Sequence, residues 1–166
     1  MINQFSRIEM LIGADAMKKL SECRVAVFGI GGVGGHVTEA LVRSGIGTID
    51  IIDNDKVSLT NLNRQIIALH STVGRYKTEV MKERILDINP DCKVFEHKCF
   101  YLPENSREFD FGMYDYIIDA VDTVTAKIQL VLEADNFGVP IISCMGTGNK
   151  MNPAEFEVTD IYKTTM

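Results

Sequence analysis

The apolar run Arg24–Phe28 leads directly into a glycine-rich turn, and this junction constrains the fold more than any other feature of the chain. The turn contains G-x-G-x-x-G and one further glycine: Gly29, Gly31, Gly32 and Gly34. An amphipathic segment over about 33–44 follows and ends at Gly45. Missing β-carbons let a backbone approach a phosphate, and the free N–H groups of a helix N-terminus attract anions. The junction predicts a strand, a phosphate-binding turn and a helix, with close packing of helix on strand as the alternative reason for the glycines.

Short β-branched runs alternate with longer amphipathic segments in the rest of the chain, which indicates βαβ units and a parallel sheet. We predict strands over 24–28, 48–52, 93–97, 116–119 and 140–144, with a continuation of the sheet over 155–159. We predict helices over about 33–44, 77–89 and 125–137, a short helix or turn over 103–109, and a helical N-terminal segment broken at Gly13. The predicted fold class is α/β, a doubly wound, mainly parallel, Rossmann-like sheet with helices on both faces. One domain over residues 1–166 accounts for the whole pattern.

Composition excludes several classes of protein. The net charge of −6 repels phosphate backbones, so a general nucleic-acid-coating role is excluded and any such contact needs a local basic patch. No apolar run is long enough for a membrane span, and the polar N-terminus does not resemble a signal peptide, so we expect a cytoplasmic protein. Neither the cysteines nor the histidines have metal-ligand spacing, which predicts free thiols and no zinc site: Cys23, Cys92, Cys99 and Cys144, with His36, His70 and His97.

Asp53 ends the second predicted strand, 24 residues after Gly29, where a carboxylate can accept hydrogen bonds from both ribose hydroxyls of a nucleotide. These two features alone are equally typical of an NAD-dependent dehydrogenase. The crossover over 54–76 and the helix after it add amides and cations: Asn61, Arg64, Gln65 and Lys77. A triphosphate needs such groups, because its charge must be neutralised while the α-phosphorus is attacked and pyrophosphate leaves. The sequence therefore favours ATP over NAD.

Two further carboxylates are candidates for the same site. Asp122 follows the fourth predicted strand, at the edge where parallel sheets open their ligand crevice. Mg²⁺ prefers one or two protein carboxylates together with substrate phosphates, so Asp122 is the candidate metal ligand, with capping of the next helix as the alternative. Asp55 either positions the metal or turns the loop.

The stretch Asp-x-Asp-x-x-x-x-x-Asn-x-x-Arg-Gln, followed by a lysine thirteen residues after its arginine, resembles the MoeB/ThiF/HesA family of ubiquitin-activating-enzyme-like adenylyltransferases. The resemblance implies adenylation of a carboxylate with ATP and Mg²⁺. It implies these roles: Gly31 in the glycine turn, Asp53 at the ribose, Asn61 and Arg64 at the triphosphate, Lys77 at the phosphates, and Asp122 at magnesium. Arg7 resembles the family arginine that reaches the triphosphate of the other subunit in a homodimer. Chains of this family continue past residue 166, so we also expect a missing C-terminal segment.

Within that family, the segments around Thr60–His70 and Asn152–Thr164 are similar to the tRNA threonylcarbamoyladenosine dehydratase branch. That likeness implies a tRNA carrying threonylcarbamoyladenosine as the substrate, whose carboxylate is activated before cyclisation. One alternative is an adenylyltransferase acting on the Gly-Gly end of a ubiquitin-fold sulfur-carrier protein. Such enzymes usually carry a Cys-x-x-Cys pair, which this sequence lacks. The second alternative is a nucleotide- or NAD-binding module without chemistry.

Overall fold

The computed structural model describes residues 3–146, 148 and 151–164, and within them it has five strands and five α-helices. The strands are β1 (Arg24–Phe28), β2 (Thr48–Ile52), β3 (Lys93–His97), β4 (Tyr116–Asp119) and β5 (Ile141–Ser143). The helices are α1 (Ser6–Ile12), α2 (Ala14–Glu22), α3 (Gly34–Arg43), α4 (Lys77–Ile88) and α5 (Val124–Phe137). Short 3-10 turns occupy Leu59–Asn61, His70–Thr72, Pro103–Glu108, Phe111–Met113, Pro153–Glu155 and Ile161–Lys163.

The sheet is parallel throughout its five strands, in the order β3-β2-β1-β4-β5. The predicted doubly wound, Rossmann-like α/β fold is confirmed. The chain moves outward from β1 to β3 in one direction and then crosses to β4 and β5 in the other. At such a switch point the loops after the two central strands diverge and leave a crevice for a ligand. That crevice lies between the ends of β1 and β4.

Alternating residues of β1 divide the interior into two apolar cores. Val25 and Val27 face the core that α3 and α4 cover, whereas Ala26 and Phe28 face the core that α5 covers. The α5 side is rich in stacked and edge-on aromatic rings: Phe28, Tyr101, Phe109, Phe111 and Tyr114. Each fully buried large apolar side chain stabilises the fold by about 1.5–3 kcal/mol, so the two cores fix the sheet from both faces.

One predicted strand is wrong. Residues 156–160 have no regular structure and lie exposed, directly after the 3-10 turn Pro153–Glu155. The Asn152 side chain accepts a hydrogen bond from the Ala154 amide and starts that turn. The alternating pattern over 155–159 satisfies the strand period, but among the described residues no neighbouring strand pairs with it. The last strand is also shorter than predicted, since β5 spans Ile141–Ser143 rather than 140–144.

Among the residues that the structure describes, no helix has the length and apolar character needed to cross a membrane.

A buried carboxylate on β2 joins three strands on the α5 side of the sheet. Asp50 is 1% exposed and accepts hydrogen bonds from the Arg24 guanidinium at 2.7 and 2.9 Å, while His97 Nε2 lies 2.8 Å from Asp50 Oδ1. Burial alone would raise the pKa of Asp50, but the hydrogen bonds from His97 and Arg24 outweigh it and hold that pKa below its usual range. Asp50 therefore stabilises the fold in its ionised form.

We expect Asp50→Asn to lower the free energy of unfolding at neutral pH by about 3 kcal/mol, because it leaves a partly buried guanidinium without its counter-charge. Since the folded pKa lies below the unfolded value of about 3.9, the contribution is complete above that value and is lost as the pH falls through the folded pKa. The difference from wild type should therefore shrink in acid. Urea unfolding at neutral and acidic pH measures this.

The matched control is Glu83→Gln, which removes an exposed ion pair with Arg75 and should leave the free energy of unfolding nearly unchanged. Equal unfolding free energies for wild type and Asp50→Asn at neutral pH would contradict the assignment.

Candidate functional site

The carboxyl ends of the strands open onto a cleft of about 540 Å³. Its walls are the turn after β1, the crossover after β2, the segment after β3 and the loops after β4 and β5. Ten residues that the sequence predicted for the site line it: Gly29, Gly31, Gly32, Asp53, Asp55, Asn61, Arg64, Gln65, Lys77 and Asp122. Residues that are far apart in sequence thus share one cleft.

Two of the four glycines in the turn are needed by the protein itself. Gly29 has φ +89°, and a β-carbon there would lie 2.6 Å from the Ala120 carbonyl oxygen. A β-carbon on Gly34 would lie 1.8 Å from the Gly29 carbonyl oxygen. No side chain fits at either position, so close packing accounts for these two glycines.

The other two glycines leave room for a β-carbon. A β-carbon on Gly31 would come no nearer than 3.9 Å to another residue, and one on Gly32 no nearer than 3.6 Å. Neither residue has a positive φ. Packing therefore does not require glycine here, and the missing side chains leave room in the cleft beside the N-terminus of α3. The N-terminus of that helix has no side-chain cap, as a phosphate-binding helix end requires.

Asp53 connects the glycine turn to the crossover. Its Oδ2 accepts a hydrogen bond from the Ile30 amide at 2.7 Å, and its Oδ1 accepts one from the Asp55 amide at 2.8 Å. The sequence pattern predicts only a ribose contact for Asp53 and carries no sign that its side chain also holds the turn. Each carboxylate oxygen keeps a second lone pair that can accept from a ribose hydroxyl, so the two roles are compatible.

Lys77 places a largely buried positive charge at the cleft. Its side chain is 7% exposed, and its Nζ lies 2.7 Å from Asp55 Oδ2 and 3.7 Å from Asp53 Oδ2. As the first residue of α4 it sits beside the positive end of the helix dipole, which disfavours a cation. The two carboxylates offset that cost, and Asp55 also accepts the Lys77 backbone N–H through its carbonyl oxygen at 3.0 Å. Asp55 therefore holds Lys77 in place, a role that sequence reasoning did not consider.

The crossover presents amides and one guanidinium to the cleft. Asn61 is 8% exposed and caps its own turn, since its Oδ1 accepts from the Ser58 amide at 3.0 Å. Arg64 is exposed, and its Nη1 donates to the Thr60 carbonyl at 2.9 Å. Gln65 is buried beside Gly31, and its Oε1 has no hydrogen-bond partner among the described residues. A ligand group or an ordered water in the cleft would satisfy that buried acceptor.

Asp122 is an exposed carboxylate on the segment between β4 and α5. Helix α5 begins at Val124 with Thr123 at its N-cap and no side-chain capping bond, so the structure does not support a capping role for Asp122. Among the described residues, no three His, Cys, Asp or Glu side chains form a metal-binding group. A cation here would need phosphate oxygens as further ligands, which is the way Mg²⁺ is commonly held.

Several residues in the cleft were missed by sequence reasoning. Lys127 lines it and pairs with Asp119, which is fully buried at the end of β4. The available signal was a charged residue ending an apolar strand, with a lysine on the helix that follows. Phe100 and Tyr101 line the opposite wall after β3 and carried no motif.

The cysteines of the cleft are poor nucleophiles. Cys99 and Cys144 line it, and both are free thiols. Burial raises the pKa of each, as do Glu108 near Cys99 and Asp119 near Cys144. A thiol with a raised pKa carries little thiolate at neutral pH, so the cleft holds no activated cysteine.

Arg7 does not lie at this cleft. Arg7 is an exposed residue of α1. Phe5, directly before this helix, lies against Gly45 near the amino ends of the strands, which places α1 at that end of the sheet. The cleft lies at the carboxyl ends of the strands, which is the opposite end of the sheet.

Curated proteins similar to this chain include tRNA threonylcarbamoyladenosine dehydratases and, at lower identity, adenylyltransferase and sulfurtransferase UBA4 proteins of yeasts. The tRNA threonylcarbamoyladenosine dehydratase of Bacillus subtilis is 49% identical over 165 residues, which are 99% of this chain and 65% of that protein. The chain therefore spans about two thirds of the length of such relatives. A crystal structure of the Escherichia coli dehydratase in complex with ATP has a TM-score of 0.94 and 41% identity, covering 97% of this chain and 66% of that chain. A second crystal structure of the same enzyme, with AMP, has the same TM-score, identity and coverage.

The model of the ThiF family matches residues 5–163. That match covers nearly the whole chain, both cores and every wall of the cleft, and the chain belongs to the ThiF family.

Proposed function

We propose that this protein binds ATP with Mg²⁺ in the cleft and adenylates a carboxylate, and that its substrate is the threonylcarbamoyl group on a tRNA adenosine. The identity of 40–49% to dehydratases over 97–99% of the chain supports the substrate. The ATP and AMP complexes of the Escherichia coli relative support the nucleotide. A tRNA substrate also implies a cytoplasmic protein.

One observation carries the proposal: the cleft pairs an open glycine backbone with a fixed cation. Gly31 and Gly32 leave space at the N-terminus of α3, where backbone N–H groups can bind phosphate oxygens. Lys77 brings an ammonium group to the same cleft, held by Asp53 and Asp55. In a chain with a net charge of −6, these backbone N–H groups and this ammonium group are the donors that would bind a triphosphate.

The chemistry follows from that charge distribution. The substrate carboxylate attacks the α-phosphorus, the bond to the β-phosphate breaks, and pyrophosphate leaves with the developing negative charge. We assign Arg64, Lys77 and Asn61 to the phosphates, where they stabilise that charge, and Asp53 to the ribose. Ring closure within the threonylcarbamoyl group then displaces AMP, so the substrate has lost the elements of water. No protein nucleophile is needed, because alignment and charge neutralisation lower the barrier.

Asp122 is our candidate for holding magnesium. Its carboxylate is exposed at the rim and free of hydrogen bonds to other described residues, as a ligand that shares the ion with phosphates requires. The ion would neutralise phosphate charge beside Lys77 and Arg64.

We further propose that the protein is a homodimer in which Arg7 reaches the cleft of its partner. Arg7 lies on α1, near the amino ends of the strands, and is absent from the lining of its own cleft. A contribution to catalysis therefore requires a second subunit.

ATP–pyrophosphate exchange tests the proposed function. Exchange should require Mg²⁺ and threonylcarbamoyl-tRNA, and should not be supported by a carrier protein ending in Gly-Gly. Lys77→Met should slow it by about 10²-fold or more, in line with the loss of a transition-state charge contact. Titration should detect ATP binding and negligible NAD binding. Exchange with the carrier protein alone, or tight NAD binding with no response to ATP, would refute the proposal.

The glycine turn provides a matched pair of substitutions. Gly31→Val should abolish ATP binding without lowering the melting temperature, because its side chain would occupy the cleft while its β-carbon would lie at an ordinary contact distance, 3.9 Å, from the Gln65 amide. Gly34→Ala should lower the melting temperature sharply, since its β-carbon meets the Gly29 carbonyl. Thermal unfolding and ATP titration of both variants measure this. Unchanged ATP affinity in Gly31→Val would place the phosphates elsewhere.

Subunit mixing tests the role of Arg7. Arg7→Ala and Asp122→Ala proteins should each be nearly inactive, whereas mixing them after dissociation should restore activity through dimers that contain one intact site. Light scattering establishes the oligomeric state first. A fully active monomer, or no recovery on mixing two stable dimers, would exclude a role for Arg7 in the partner's site.

A further inference from the structure

A buried ion pair joins the end of β4 to α5 beneath the cleft, beside the end of β5. Asp119 is fully buried, and its carboxylate oxygens lie 3.1 and 3.2 Å from Lys127 Nζ. Asp119 also accepts hydrogen bonds from the Ser143 hydroxyl and, at 3.2 Å, from the Val121 amide. Lys127 donates to the Cys144 carbonyl at 3.1 Å. We call these residues the β4–β5 bracket: Asp119, Val121, Lys127, Ser143 and Cys144.

The fold does not require charges at this place. Replacing a buried ion pair by apolar side chains of similar size is often neutral or stabilising, so this pair is weak evidence for a stabilising role. Every partner of Asp119 and Lys127 lies on a segment that borders the cleft. The bracket therefore fixes the cleft walls rather than the cores.

The segment that carries Asp122 is held by the bracket at its start. Its first residue is Ala120, whose backbone N–H donates to the Phe28 carbonyl oxygen at 2.8 Å. The Ala120 carbonyl packs against Gly29. The next residue is tied by its amide to Asp119. Asp122 follows immediately and has no bracket contact of its own. Its position relative to the glycine turn thus depends on the Ala120 contacts together with the hydrogen bond from Val121 to Asp119.

The geometry points to Lys127 as a positioning residue that acts through Asp119 to place Asp122 for the adenylation step, an inference that rests on the proposed function. Lys127 lines the cleft, but its three ammonium donors are matched by three acceptors within the protein: the two Asp119 oxygens and the Cys144 carbonyl. It therefore acts on the reaction through its neighbours and not by contacting phosphate.

The test is a double-mutant cycle between Lys127→Met and Asp122→Ala. Lys127→Met should lower the adenylation rate at saturating ATP and Mg²⁺ by up to about 10²-fold, the loss that a misplaced catalytic group can cause, while the ATP dissociation constant changes less than about threefold. Lys127→Arg, which keeps the charge, should recover most of the rate. The double variant should be no slower than Asp122→Ala alone, because both changes remove the same contribution.

A second variant distinguishes a loss of adenylation rate from a loss of folding stability. Lys127→Met leaves the Asp119 carboxylate buried without a counter-charge, so Asp119→Leu with Lys127→Met removes both charges while keeping apolar volume. The protein with both substitutions should have a melting temperature near that of the wild type, and its adenylation rate should still be low. Amide hydrogen exchange at Val121, a readout independent of activity, should be faster in both variants than in wild type.

Arg24→Met is the matched control, since it removes a cation from a different buried carboxylate, Asp50, near the amino ends of the strands. It should lower the melting temperature and leave the saturated rate unchanged. The positioning role would be wrong if the double variant lost rate by the product of the two single losses. It would also be wrong if Lys127→Met raised the ATP dissociation constant and left the rate at saturating ATP unchanged. If the wild-type protein catalyses ATP–pyrophosphate exchange and these outcomes are found, only the positioning role of Lys127 is wrong. If the wild-type protein shows no exchange, both the positioning role and the proposed function are wrong.

Discussion

The Asp53 carboxylate is the contact on which the rest of the cleft depends. One oxygen holds the Ile30 amide of the glycine turn, the other holds the Asp55 amide of the crossover, and Lys77 lies within 3.7 Å. These groups come from three segments that are separate in sequence: the glycine turn, the crossover after β2 and the start of α4. Because a single side chain with 9% exposure connects them, the phosphate-binding backbone and the buried cation keep a fixed relation to each other.

Charge is distributed unevenly between surface and cleft. Several cations of the described surface pair with carboxylates, as in Arg75–Glu83, Lys82–Glu96 and Lys98–Glu79. The cleft instead has Arg64, which bonds neutral oxygens, together with the open amides of the glycine turn. An acidic protein can thus attract a polyanion to one place, since low-dielectric walls concentrate the local field.

Local patterns predicted the elements and the cleft residues that belong to continuous motifs. Strand, turn and helix at residues 24–44 follow from β-branched alternation and glycine spacing, and the spacing from Asp53 to Lys77 brought both residues to one cleft. The strand over 155–159 failed because the two-residue period specifies a strand only where an edge is available for pairing. Asp119, Lys127 and Ser143 were missed because they meet across two strand ends and a helix.

The sequence by itself determined the fold class, the phosphate-binding turn and the candidate residues, because these depend on local periodicity, on β-carbons that are absent, and on short spacings. Only the tertiary structure decided which glycines serve packing and which leave room for a ligand, since that depends on Ala120, a residue on a neighbouring strand end. It also decided that Asp55 holds Lys77, that Asp119 pairs with Lys127, and that Arg7 lies away from its own cleft. Such relations require distances between segments that only the packed sheet brings together.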